Sequence, residues 1–281
     1  MEKIIVSSEY FCVEDTLSCG QIFRYKQSGE GYIVFSLDKA CYLYEQDDST
    51  IILCEDEDKD YFYNFFDLDR DYKTICDFAL NDEFSVVKKS ASLGKGIRIL
   101  NQNILETTFS FIVSQNNNIT RIKGILERLC SSLGEKKSFM GQEYYAFPTA
   151  EKMAKESEEF YKRIGLGYRA GYIKNTAVSV INGLNLAQLS YLNTKELKKE
   201  LVKIKGIGAK VADCISLFGY HRADSFPVDT WIEKVYKEDF FGTLTDRDKI
   251  TDFFIERYGE YSGYIQQYLF YYKRSLEKKN K

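Results

Sequence analysis

The sequence predicts an α+β fold, with a small N-terminal antiparallel β domain (residues 1–100, with short helices) followed by a large all-helical body (101–281). Three observations predict it. The hydrophobic period changes along the chain, from short aromatic and β-branched runs to the three-and-four spacing of helices. The charge changes with it: residues 1–84 hold 20 acidic and 7 basic residues, a net of −13, and the remainder holds 22 and 32, a net of +10. Only two prolines, Pro148 and Pro227, interrupt 281 residues that are 44% hydrophobic, enough apolar material for a substantial core.

In chain order, "QIFRYK", "GYIVFSL", "CYLYEQ" and "TIILCED" are strand-like runs separated by "QSGEG" and "QDDS", so a meander over residues 1–55 is expected. From "DKDYFYNFF" onward the pattern turns helical. "NITRIKGILERLC" sets Ile119, Ile122, Leu126 and Leu129 on one face, with asparagines to cap its start. "TAEKMAKESEEFYKRI", "YRAGYIKNTAVSVI", "NTKELKKELVKI", "KVADCISLFGY", "DTWIEKVY", "RDKITDFFIERY" and "YIQQYLFYYKRSLEKK" follow as helices, and the basic "KRSLEKKNK" end reads as a frayed tail.

Composition narrows the function classes. No signal-peptide core opens the chain, and no apolar run approaches the roughly 18 residues of a membrane span. Seven cysteines (Cys12, Cys19, Cys41, Cys54, Cys76, Cys130, Cys214) at irregular spacing, without C-x-x-C, fit a reducing compartment. The expectation is an intracellular protein, cytoplasmic or, in a eukaryote, nuclear. The split charge suits a basic working face with an acidic appendage. Uneven surface charge with no partner explains the same numbers.

The stretch "VKIKGIGAKVADC" joins two helices, about 193–220 in all, through Gly206 and Gly208, with Leu201, Ile204, Val211, Cys214 and Ile215 able to share one small core. A Gly-x-Gly turn feeding a helix exposes N–H groups that suit a phosphate oxygen. A plain helical hairpin is the bland reading. Lys210 then stands where positive charge is unfavourable, at a helix start. "SFPVDTW" places Asp229 at the next helix start, as an N-cap or just ahead of a Thr230-x-x-Glu233 capping box, and the short "HRADSFPV" return brings it back toward Lys210. An amine and a carboxylate beside a phosphate-gripping turn suit chemistry at a sugar carbon.

These residues resemble the helix–hairpin–helix DNA glycosylase superfamily. "SCGQIFRY", "FIVSQNNNITRI" and "IGLGYRAGYI" are similar to its 8-oxoguanine DNA glycosylase/AP lyase family, over about residues 17–271. The resemblance implies a base-excision repair enzyme. Double-stranded DNA containing 8-oxoguanine opposite cytosine would be its substrate, and it would act as a monomer. Lys210 would attack C1′, expel the base, form a Schiff base and permit β-elimination. A lysine has a pKa of about 10.4, so the reading expects it lowered by about three units, roughly 4 kcal/mol of desolvation and field. Asp229 would stabilise positive charge developing on the sugar. Gly20 would accept the N7–H peculiar to 8-oxoguanine, Gln266 would meet the Watson–Crick edge, and Phe270 and Cys214 would sandwich the ring. Tyr168 would wedge into the duplex and Asn116 would fill the vacated space. Arg121 and Arg169, with Asn116, would read the orphaned cytosine, and Gly206 and Gly208 would hold the DNA backbone.

No cofactor is implied, although the family's hairpin carbonyls often hold a monovalent cation. Trp231 departs from the pattern, standing where many members have a phosphate-contacting histidine. His221, the only histidine, receives no role. Three other readings compete. A four-cysteine iron–sulfur glycosylase needs clustered cysteines after the aspartate, and none follows Cys214. A non-catalytic hairpin module needs neither Lys210 nor Asp229. A glycosylase for another damaged base, of the alkyl-base kind, usually has the aspartate without the lysine.

Overall fold

A computed structural model describes residues 1–279. Four strands form the expected meander: β2 (Tyr25–Ser28), β3 (Gly31–Ser36), β4 (Lys39–Gln46) and β5 (Ser49–Cys54). A further strand has no clear signal in the sequence. β1 (Glu2–Ser7) pairs antiparallel with β5, setting Ile4 against Ile52 and giving the order β1-β5-β4-β3-β2. Its single buried residue, Ile4, is too weak a pattern to read from sequence. The inner face of this sheet packs Ile4, Val34, Cys41, Leu43 and Ile52 against Phe62, Phe65 and Phe66 of the region around α2 (Lys59–Phe65) and against Leu17 of α1 (Val13–Ser18).

The larger core belongs to the helices. α3 (Tyr72–Leu80) and α4 (Ser85–Gly94) contribute Tyr72, Ile75, Val86 and Val87 to it, although they precede residue 100. α5 (Ile104–Ser114) and α6 (Ile119–Leu133) start at Asn103 and Asn118, whose side chains cap them as expected of the asparagines. The body is not wholly helical, which corrects the expectation. β6 (Lys136–Phe139) and β7 (Gln142–Tyr145) form a hairpin through Met140 and Gly141, both at positive φ (49° and 72°). Two central residues at positive φ make the turn that matches strand twist, but Met-Gly lacks the Asn-Gly signature that announces it. The hairpin covers the outer face of the sheet, with Tyr144 stacked on Phe35 at 5.0 Å.

The expected helix over 149–164 is two, α7 (Ala150–Lys155) and α8 (Glu158–Arg163). Ser157 restarts the helix by accepting from Phe160 N at 3.1 Å. α9 (Ala170–Ile181), α10 (Thr194–Lys203), α11 (Ala209–Gly219), α12 (Thr230–Glu238) and α13 (Arg247–Tyr258) lie where the periodicity places them. α14 (Ser262–Lys279) continues through most of the segment expected to fray; Asn280 and Lys281 lie outside the described residues.

The placement of α11 is what positions the Lys210 segment. All its residues from Val211 to Gly219 are buried, with Phe218 stacked on Phe111 of α5 at 5.5 Å. Its exposed N-terminal end is therefore presented by a rigid base. The β domain is fastened to this body by a buried ion pair, Arg24 to Glu106 at 3.2 Å, and by Leu37 N donating to Glu106 at 2.6 Å.

Candidate active site

α10 opens with a capping box, Asn193 and Glu196, and ends at Lys203, so the turn to α11 spans Ile204 to Gly208. Gly206 must be glycine: its φ is +96°, and a Cβ there would lie 2.3 Å from the ring of Tyr172. Gly208 has an ordinary φ of −89° and open space around it. It is the N-cap of α11 and supplies no capping side chain, so the first N–H groups of the helix face outward. Of the turn carbonyls, that of Ile204 accepts from Ile207 N and that of Gly206 accepts from Gln115 Nε2.

Lys210 follows within the first turn of α11 and lines a narrow cleft of about 50 Å³. Asp229 lines the same cleft, together with Cys19, Gly20, Phe111, Cys214, Phe218, Pro227, Gln266, Gln267 and Phe270. Six residues singled out from sequence thus meet at one place: Lys210, Asp229, Gly20, Cys214, Gln266 and Phe270. At about 50 Å³ the cleft is far smaller than a ligand pocket of about 300–1,000 Å³.

Asp229 is the N-cap of α12, its Oδ1 accepting from Trp231 N at 2.9 Å and Ile232 N at 3.0 Å. Glu233 does not complete a capping box with Thr230; it pairs with Lys237 and Arg247. Around the Lys210 amine, burial favours the neutral form, while the Cys214 sulfur and the Asp229 carboxylate favour the ammonium. The net lies above the ordinary lysine value. This corrects the expectation of a depressed pKa: in the free protein, opposite charge outweighs burial. Cys214 is itself pushed up by burial, against the opposing pull of the Lys210 amine. Asp213, one turn along α11 and 4% exposed, accepts from Lys198 at 2.9 Å. Burial outweighs Lys198 and pushes its carboxyl up to about 7.

The facing wall comes from the two ends of the chain. Gln267 Nε2 donates to Cys19 O at 3.0 Å, and Arg274 donates to Ser18 O. Gly20, at φ +94°, packs under Phe270, whose ring edge would be 3.3 Å from a Cβ. Gln266 is 5% exposed; its Nε2 donates to Pro227 O at 3.2 Å, and its Oε1 has no partner. A buried acceptor left unpaired is costly unless something else arrives to fill it. Sequence reasoning missed Cys19, Phe111, Phe218 and Gln267. "SCGQ" and "YIQQYLF" contain Cys19 and Gln267 beside residues that the sequence singles out, but only the tertiary pairing of the chain ends shows that they share a wall.

A second group sits beside the hairpin. Tyr168 is 58% exposed, with its hydroxyl 3.4 Å from Gln115 O and its ring 6.1 Å from that of Tyr172. Asn116 is exposed at φ +44°, and Arg121 is exposed, donating to Gly165 O at 3.2 Å. Arg169 differs from expectation. It is 2% exposed, and its guanidinium donates to Gln115 O at 2.8 Å, Asn116 O at 2.9 Å and Leu166 O at 3.4 Å. In the free protein it holds the loop that carries Asn116 instead of facing solvent. Trp231 lies in the first turn of α12, with Lys234 5.4 Å from its ring. His221 Nε2 lies 3.3 Å from Asp67, close but without a hydrogen bond.

Among the described residues, no group of three or more His, Cys, Asp or Glu is arranged to hold a metal ion, and no helix is long and apolar enough to cross a membrane.

Residues 3–108 match the family model for the 8-oxoguanine DNA glycosylase N-terminal domain, and residues 109–259 match that for HhH-GPD superfamily base excision DNA repair proteins. The chain is 31% identical over 268 residues to an N-glycosylase/DNA lyase of Saccharomyces cerevisiae, covering 85% of this chain and 70% of that one. A probable N-glycosylase/DNA lyase of Methanothermobacter thermautotrophicus is 27% identical over 229 residues, 74% of this chain and 72% of that one. Among solved structures, Clostridium acetobutylicum 8-oxoguanine glycosylase/lyase in complex with double-stranded DNA containing cytosine opposite 8-oxoguanine superposes with a TM-score of 0.91 at 38% identity, covering 96% of this chain and 93% of that one.

Proposed function

The chain belongs to the 8-oxoguanine DNA glycosylase/lyase family of the HhH-GPD superfamily, bifunctional base-excision repair enzymes acting on double-stranded DNA, and from that premise we propose that Lys210 and Asp229 carry its chemistry. The supporting observation is their convergence: two residues 19 positions apart, each at a helix start, line one cleft whose far wall holds an unpartnered buried acceptor.

The lesion base must leave the stack to be reached, at a cost of a few kcal/mol. It enters between Phe270 and Cys214. Gln266 Oε1 accepts a donor of the Watson–Crick edge, and the carbonyl of Gly20 accepts the N7–H that guanine lacks. An unpaired acceptor there costs guanine about 1–3 kcal/mol. Lys210 Nζ attacks C1′ as the N-glycosidic bond breaks, and the bonding pair leaves with the base. The nitrogen then becomes the iminium of the opened sugar, and loss of a C2′ proton expels the 3′ phosphate. Asp229 lies where positive charge develops on the sugar. Since the amine is held protonated in the free protein, its proton must depart before attack, and the entering base, by parting the cleft walls, alters the contacts that hold it.

Gly206 and Gly208 present the start of α11 to a phosphate. Tyr168, an exposed aromatic beside the hairpin, is the wedge, and Asn116 and Arg121 face the gap. Arg169 joins them only after giving up the carbonyls it now holds. The reading needs no cofactor; a monovalent cation at the hairpin would bind carbonyls of the turn.

Borohydride trapping tests the whole assignment. The protein should form a covalent adduct with a duplex carrying 8-oxoguanine opposite cytosine, and far less with undamaged duplex. A protein that binds the lesion duplex and never yields an adduct is a binding module, not a lyase.

A further inference from the structure

We infer that Gln115 is a positioning residue that couples reading of the strand opposite the lesion to the hairpin bearing Lys210, so that excision itself, beyond binding, depends on the opposite base. The inference rests on the assignment of Lys210 as nucleophile and adds a residue which that assignment does not use.

Gln115 stands at the C-terminal end of α5, immediately before Asn116 with its φ of +44°. Its two halves face two different elements. The main-chain carbonyl accepts from Arg169 Nε at 2.8 Å, from Arg169 Nη2 and, at 3.4 Å, from the Tyr168 hydroxyl. The side-chain amide donates to Gly206 O at 2.7 Å and to Ile112 O at 3.2 Å. One residue therefore bonds both the wedge segment and the glycine turn, 91 positions away.

The turn is a stiff receiver. Gly206 is pinned by its φ and by the Tyr172 ring against it, and Tyr172 in turn meets the Tyr168 ring edge-on. Two residues later Gly208 starts α11, whose base is fixed in the core. A shift at Gly206 has little room to dissipate before it reaches Lys210. Gln115 and Lys210 also line one cavity of about 320 Å³ on the hairpin side of the cleft.

The sender has two arrangements to choose between. In the free protein the Arg169 guanidinium is spent on the carbonyls of Leu166, Gln115 and Asn116. Contact with an unpaired base requires it to exchange some of these bonds, which changes what holds the Gln115 main chain. A base that engages Asn116, Arg121 and Arg169 thus alters one half of Gln115 while the other half grips the turn. Coupling needs an element with two arrangements that both sites bias, here the Arg169–Gln115 contact, and a measured coupling is its proof.

A simple end-stop for α5 would serve stability alone and treat all substrates equally. The deciding experiment measures single-turnover excision of 8-oxoguanine opposite cytosine, adenine, guanine and thymine, and β-elimination on single-stranded abasic DNA, which has no opposite base. Gln115→Met keeps the length and loses the donors. It should slow cytosine-opposed excision about five- to tenfold, the scale of one lost hydrogen bond, and change adenine-opposed excision and single-strand cleavage less than twofold. Gln115→Glu sets a carboxylate against the Gly206 carbonyl and should narrow the cytosine-to-adenine ratio at least as much. It also stands in should the methionine variant fold poorly, as judged by its melting temperature. Equal losses on every substrate, single-stranded DNA included, would make Gln115 a structural cap and overturn the inference, as would an unchanged ratio in both variants. Wild-type protein that excises equally opposite all four bases would overturn the inference and leave Lys210 and Asp229 in place, whereas failure to form a borohydride adduct would overturn the functional reading itself.

Discussion

The wall of the cleft that carries Lys210 and Asp229 comes from one run of chain, α10 to α12. The facing wall sets Cys19 and Gly20 against Gln266, Gln267 and Phe270 of the last helix. The first wall is local, and the groups proposed to react sit on half-buried helix starts that are well supported from behind. The second is held by bonds between residues about 250 positions apart, such as Gln267 to Cys19. Substitutions in the first wall should therefore remove chemistry and spare stability. Those in the second should cost stability first.

Lys210→Gln is the strongest test of that contrast. It should abolish excision and borohydride trapping while lesion-DNA affinity stays within about tenfold, because phosphate contacts dominate binding. Undiminished trapping would remove the nucleophile assignment. The wild-type amine also has a sign to check. Its pKa is raised in the free protein, so the neutral fraction grows with pH and trapping should accelerate from neutral to alkaline pH. A flat profile over that range would show that the amine loses its proton on binding at no pH cost.

Asp229→Asn comes next. Asparagine caps about as well as aspartate, so melting should hardly move, yet excision should fall roughly a hundredfold or more, the usual scale for losing a charged catalytic group. Whatever trapping remains should shift to lower pH, since the carboxylate that holds the proton on Lys210 is gone. Retained activity with a lower melting temperature would reduce Asp229 to a cap.

Gln267→Leu should behave in the opposite way. It strands the Cys19 carbonyl in the core, a penalty of about 1–3 kcal/mol, and each lost kcal/mol lowers the melting temperature of a domain this large by about 2–4 °C. Trapping on single-stranded abasic DNA, which places no base in the cleft, should persist. If the variant melts normally and loses trapping, the facing wall takes part in the chemistry, and the contrast between the two walls fails.

The same contrast explains what is legible in the sequence. "GIGAK" and "PVD" announce themselves because local backbone needs, a positive φ at Gly206 and a cap at Asp229, coincide with the residues proposed to do the chemistry. The pairing of α14 with the segment before β2 has no local signal, so Gln266 and Phe270 come only through family resemblance, and Cys19 and Gln267 not at all. The β6–β7 hairpin is hidden by its Met-Gly turn, and β1 by having one buried residue. The charge state of Lys210 escapes the sequence for a related reason: the helix-start field is local and readable, whereas the Cys214 and Asp229 contributions depend on packing.

Arg121 and Arg169, both expected to read the orphaned base, should now part company. Arg121→Ala should narrow the preference for cytosine over adenine by about 1–3 kcal/mol, the scale of a lost base contact. Arg169→Ala should also lower melting, because it frees the carbonyls of Gln115 and Asn116. Equal losses on all four opposite bases for Arg121→Ala would make that arginine a phosphate contact.

The smallest effect concerns charge, and it asks whether the acidic domain takes part in the grip at all. The helical segment from residue 85 onward carries +10, but that figure overstates what reaches DNA. Arg98 is buried, donating to Asp67 O with its guanidinium 4.3 Å from the Tyr72 ring, and Arg128 donates to Ile164 O. With about four to six phosphates neutralised, log affinity should fall with log salt at a slope near −4 to −5. The acidic run at 55–60 cannot be reversed wholesale, because Asp58 is buried against Lys39 and Asp56 binds the N-terminal amine at 2.7 Å. Glu55, Glu57 and Asp60 are exposed and can each become lysine. Their triple reversal should leave the slope unchanged within about one unit and strengthen binding only slightly, since repulsion is screened beyond about 8 Å at physiological salt. A slope near zero in the wild type would mean that the helical body does not hold the backbone. A slope steeper by two or three after reversal would mean that the new lysines pair with phosphates, which would place the acidic run beside the duplex and make the β domain part of the binding face.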